Sequence, residues 1–343
     1  TVDQIAVSVE RPELDEKHPE RSQAKLKLMN LSVSPSMSGL IEIVSPSELS
    51  AVSVPIRFSG VALGATLDVP LPYESVDSLR VKVTLDGGRT YSSSVVLGQA
   101  FAASAKHKKH EAPPILLGDA DHYHSFAGTW DGKNDLSVSA EARWDSSKLM
   151  FDIVVKDDVH EQSWANGDIW QGDSIQLGID LSRSDGSASG NVNELGFALG
   201  NDGTVSQWRW LAPTGVSAGA FPDAQTVATR DEAKGETRFN ISIPIAALHG
   251  AGYVFDENEP LGFALLVNDD DGSGRSGFME YNKGIGFTKD ATTFGDLYLL
   301  DGDFAKLQEK AADRAVKDAE KLRTATAIDA ARNIVAVLDD EKK

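Results

Sequence analysis

Cysteine is absent from the 343-residue sequence, which excludes disulfides, thiolate metal sites and a cysteine nucleophile. No run of about 18 apolar residues occurs, so no segment reads as a transmembrane helix. A basic-then-apolar leader is lacking at Thr1, and a chain opening there is expected to be a mature or trimmed form. A basic stripe is lacking as well. The net charge of −19 sits almost wholly in residues 118–300, with 29 acids and 12 bases, against 13 and 12 in residues 1–117 and 10 and 9 in residues 301–343. A surface of that sign repels phosphate backbones and acidic polysaccharides, so nucleic acid is not an expected partner.

Tryptophan, missing from both flanks, is concentrated in the acidic middle: Trp130, Trp144, Trp164, Trp170, Trp208 and Trp210. Large aromatics in a β-sandwich usually fill the space between sheets, so most of the six read as core, Trp144 above all because it closes an alternating strand.

From Lys25 onward, short alternating strands are separated by turn residues: 25–29, 40–44, 52–58, 65–69, 79–85 and 91–97, with Asp86-Gly87-Gly88 as a hairpin turn. This density of strands points to an immunoglobulin-like sandwich over residues 1–101. Residues 102–116, containing AKHKKHEAPP, read as a linker, and His107 and His110 read as solvated and not as metal ligands. A second, larger sandwich is expected over 117–301, with strands at 136–144, 149–156, 175–179, 195–199, 205–210, 237–243, 261–267 and 295–300. After Asp303 the period becomes helical. Thr326 and Asp329 look like a capping box, so 302–343 is one helix or a helical hairpin. Its alanine-rich stripe either docks on a sandwich or mediates self-association.

The middle segment resembles the family 9 carbohydrate-binding modules and the wider DOMON-like sandwich group through ARWDSSKLMFDIVVKDD (142–158), WQGDSIQLGID (170–180), LLVNDDDGSGR (265–275) and KDATTFGDLYLL (289–300). The resemblance implies a non-catalytic, polysaccharide-binding protein of a secreted or cell-surface glycan-degrading system, located outside the cell, in the periplasm or on the cell surface. It implies that an indole covers the apolar face of a pyranose while polar groups take its hydroxyls. Carried over by position, the first clamp ring falls on Trp170, opening a strand at the sandwich edge. The polar partners fall on Asp157 and Arg275.

Other positions depart from the family pattern. Gln176 stands where the family has an acid, Ala198 where it has an arginine and Leu266 where it has a glutamine. The second clamp tryptophan is missing, with Phe287 or Tyr281 nearest. If the 201–204 turn pairs Gly196 with Arg209, then Arg209 replaces the lost arginine and Trp208 and Trp210 join the core. The expected ligand is a neutral or weakly charged glycan. Asn268, Asp269 and Asp271 supply oxygens suited to a structural Ca2+.

Two alternatives follow from the same segment. A glycoside hydrolase would draw on His122, His124 and His160 with Asp119, Asp121, Asp157 and Asp158. A DOMON-like haem domain would need Met150 or Met279 with His160 or His249, and no haem is expected because Met150 reads as core.

Overall fold

The computed structural model describes residues 5–11, 23–32, 35–106, 111–182 and 191–338. His107 and His110 fall outside them. The chain forms two compact units, residues 1–97 together with 302–343, and residues 98–301. It is mainly β, with helices at the C-terminal end. Among the described residues no helix is long and apolar enough to cross a membrane.

In the first unit, β1 (Ile5–Glu10), β2 (Lys25–Asn30) and β5 (Thr66–Pro70) form one antiparallel sheet. In a second, β3 (Ser36–Ser45) pairs with both β4 (Ile56–Ala62) and β6 (Val76–Leu85). Alternation supplies a shared core from both, including Leu26, Leu28, Ile41, Phe58, Val69 and Val81. The strand expected at 52–58 starts later. Pro46 opens a short helix, α1 (Ser47–Val52), and the ladder resumes only after Pro55, which has no N–H to give to one.

The C-terminal segment is two helices, α2 (Phe304–Leu322) and α3 (Ala325–Ala336), and it belongs to the first unit. Arg323 turns left-handed at φ 52°, and Thr324, not Thr326, caps α3 by accepting from the Ala327 N–H. Thr326 donates to the Arg57 carbonyl, Asp329 accepts the Arg57 N–H, and Asn333 bonds both backbone groups of Val54. These side chains dock α3 on the edge of β4, with Ala330 in the core.

The second unit begins at Gly98, ahead of the stretch expected to be a linker, and takes that stretch in. Strand β7 (Thr90–Ser104) runs on past Leu97, its end pairs in parallel with later strands, and Ala100 and Ala102 are core residues. The small side chains that read as a linker are small because this strand is buried. A back sheet follows from β8 (Ile115–Leu117), β10 (Leu136–Asp145), β11 (Lys148–Asp157), β16 (Gln225–Asp231) and β17 (Glu236–Pro244), in the order β8-β10-β11-β17-β16. The front sheet runs β9-β19-β18-β12-β13-β14-β15, from β9 (Tyr123–Ser125), β12 (Ser174–Asp180), β13 (Val192–Leu199), β14 (Val205–Leu211), β15 (Gly219–Ala220), β18 (Leu261–Asp269) and β19 (Gly277–Tyr281). Strand β20 (Gly295–Leu300) joins β18 to β7. Ile175, Leu177 and Ile179 meet Trp144, Phe151, Ile153 and Ile241 between the sheets. The other face of the front sheet is turned away from this core and bears Gln176, Gly196, Ala198, Leu266, Asn268, Phe278 and Glu280, all of them buried, Leu266 and Phe278 in a smaller apolar cluster with Ile285 and Phe294.

Candidate functional site

Trp170 does not open a strand. It lies in a 3-10 turn, Asn166–Gln171, ahead of β12, with 38% of its surface exposed. The buried Gln162 holds this loop from beneath: its amide donates to the carbonyls of Ile169 and Asp173 at 2.9 Å and accepts the Trp164 N–H. Ile169 is fully buried under the turn while Trp170 projects. An indole is thereby presented on a braced loop.

The Arg275 guanidinium lies 5.5 Å from the Trp170 ring centre and 4.8 Å from those of Phe126 and Phe278. Burial among these rings pulls its pKa down to about 10, partly offset by the nearby Glu280 carboxylate. Its Nε is buried without a partner. Phe287 is 65% exposed and meets Phe126, Phe278 and His124 edge-on at centroid distances of 5.3 to 5.9 Å. Burial also lowers the His124 pKa, which favours the neutral ring. Trp170, Arg275, Phe126 and Phe287 therefore form one partly exposed aromatic and cationic surface. Gln176 lies on the sheet face that bears Phe278, buried at 4% exposure.

Phe126, Phe278 and Gln162 carry no signal in the sequence motifs. A period-2 reading of GFMEY would have placed Phe278 and Glu280 on one face.

Four expectations are corrected. Asp157 is 2% exposed and points into the end of the core, because it continues the inward row Leu149, Phe151, Ile153 and Val155 of β11. Tyr281 is likewise core, with its hydroxyl bonded to the Gln99 carbonyl. Arg209 is buried on the core side of β14, donating to the Ala247 carbonyl at 2.7 Å and stacking on Phe221 at 4.2 Å. The cause is register: Leu199, not Gly200, pairs with Val205, so Gly196 meets Trp208 and not Arg209. Trp208 and Trp210 thus lie on the outward side, and a Cβ at Gly196 would overlap the Trp210 ring. Asn268, expected as a metal ligand, alternates onto the outward face and donates to the Ser174 hydroxyl, leaving its Oδ1 buried and unpartnered.

Asp269 and Asp271 do converge, joined by Asp135, with carboxylate oxygens within 4.8 Å of one another. Asp269 Oδ2 accepts from Tyr123 and Ser276, whereas its Oδ1 is buried and unpartnered. Burial raises the Asp269 pKa to about 6. An all-oxygen set with a bare buried carboxylate oxygen fits a hard cation such as Ca2+.

Of the hydrolase alternative's residues, Asp157 and His122 are buried. Of the haem alternative's residues, Met279 is fully buried in the core.

Residues 120–302 match the family model described as carbohydrate family 9 binding domain-like. A search of curated proteins finds no match. Among solved structures, the chain is similar to a carbohydrate binding module family 9 from Caldicellulosiruptor kristjanssonii in complex with glucose. That match has 15% identity and a TM-score of 0.39, covering 60% of this chain and 96% of that one. For the family 9 module from the same organism in complex with cellotriose the values are 15%, 0.40, 60% and 94%.

Proposed function

The chain belongs to the carbohydrate family 9 binding domain-like family, and on that premise we propose that the surface around Trp170, Arg275 and Phe287 binds a neutral or weakly charged glycan without cleaving it. The observation that carries this reading is Trp170, an indole kept 38% exposed on a braced loop beside the Arg275 guanidinium. An apolar ring stacks on the C–H face of a pyranose, and the groups around it address the hydroxyls. The Arg275 guanidinium supplies donors beside the indole, and Phe287 with Phe126 supplies a second aromatic wall. Localisation outside the cytoplasm, as part of a glycan-degrading system, accords with this family and ligand class.

Screening the full chain against neutral oligosaccharides with free and blocked reducing ends tests the reading. Binding is expected at micromolar to millimolar dissociation constants, about −8 to −4 kcal/mol, and to change little with salt. Tight, salt-sensitive binding to an acidic polysaccharide, or no binding to any neutral glycan, would overturn it.

Asp135, Asp269 and Asp271 are the residues proposed to hold Ca2+. Calcium is then expected to raise the melting temperature of the full chain by stabilising the folded state alone, and Asp269→Asn to abolish that shift. An unfolding curve unmoved by calcium or by chelator would contradict the assignment.

A further inference from the structure

A second cluster closes the core beside the oxygen set. Asp157 ends the inward row of β11, Asp173 precedes the inward row of β12, and His160 reaches between them from the connecting loop. One ligand atom of each lies within 4.8 Å of the others. Asp157 is 2% and Asp173 7% exposed. The His160 Nε2 lies 2.9 Å from the Leu199 carbonyl, an acceptor only, so Nε2 carries a proton. In the neutral ring, Nδ1 therefore presents a lone pair, and it faces Asp173 Oδ2 at 3.3 Å. One imidazole nitrogen and two carboxylates therefore converge on one buried space.

We propose that Asp157, His160 and Asp173 form a site for a first-row divalent ion of the Zn2+, Co2+ or Mn2+ type. One imidazole nitrogen with two carboxylates is the donor set such ions prefer, whereas Ca2+ takes oxygen alone. A bound dication would pull the donors to roughly 2.0 to 2.2 Å from itself.

The surroundings already hold the ligands in orientation. Asp173 Oδ2 accepts the Glu161 N–H at 2.7 Å, Asp173 Oδ1 the Asp270 N–H at 2.8 Å and Asp157 Oδ1 the Val159 N–H at 2.9 Å. His160 also lines a cavity of about 510 Å³ with Asn201 and Arg230. Arg230 donates to the Asp157 backbone carbonyl and is paired with Glu232, so its charge is partly met. The site is distinct from the Asp135, Asp269 and Asp271 oxygen cluster. It ties together the two ends of the 161–173 loop that carries Trp170, but its test does not depend on a glycan.

Metal-stripped full chain is titrated with Co2+, followed by visible absorption and calorimetry. One equivalent is expected to bind with a d–d spectrum of mixed nitrogen and oxygen ligation, to release protons, and to be displaced by Zn2+ but not by equimolar Ca2+. His160→Gln and Asp157→Asn should each weaken binding at least about tenfold. Asp157→Asn keeps a neutral, hydrogen-bonding side chain and so keeps the fold, as circular dichroism can verify, and Asp269→Asn should leave Co2+ binding intact. No binding to the unsubstituted chain, or binding unchanged in both His160→Gln and Asp157→Asn, would overturn the proposal.

Discussion

Trp144→Ala is expected to destabilise residues 98–301 by about 3 to 5 kcal/mol, the range for removing a large aromatic from a packed core. Trp144 is 1% exposed, at the end of β10 among the inward side chains of both sheets, and its indole N–H donates to the Leu300 carbonyl at 3.0 Å. The substitution opens a cavity and strands that carbonyl, and both costs add. In thermal unfolding of the full chain, the transition of this unit should fall by on the order of 10 °C. A loss below about 1 kcal/mol would mean that the site collapses around the smaller side chain, or that the two sheets do not depend on this contact.

The strands of the sandwich were legible because their period is strict. Leu136 to Trp144, Thr237 to Ile243 and Leu261 to Val267 alternate as written and form strands. What periodicity could not supply was loop length. The five residues Gly200 to Thr204 close with Asp202 accepting from both the backbone and hydroxyl of Thr204, and one more residue in the loop turns every side chain of β14 over. That single step exchanges Arg209 and Gln207 for Trp208 and Trp210 on the outward face. Trp170 was assigned to the site by family position, while its conformation depends on Gln162, eight residues earlier, whose bonds no local pattern reveals. The inward parity of Asp157 was readable from Phe151, Ile153 and Val155, and that of Asp269 from Leu265 and Val267. The same argument applied to Ile175 and Leu177 would have found Asp173. Phe126 and Phe278 come together with Phe287 only through the pairing of β9 with β19, a long-range contact.

Trp170→Ala carries the second large effect, on binding instead of stability. The indole is partly exposed and its loop is held by Gln162, not by the ring, so its removal should leave the fold intact while taking away the stacking surface. A loss of about 2 kcal/mol or more, roughly thirtyfold in affinity, is the scale of an aromatic hot spot. Isothermal titration of the full chain and its Trp170→Ala variant with the best neutral oligosaccharide from the screen, with matched unfolding curves, tests the central claim most directly. The account predicts binding by the unsubstituted chain, a loss of at least about thirtyfold in the variant and superimposable unfolding. Equal affinity in the two proteins would contradict it, because the glycan would then sit away from Trp170 and Arg275.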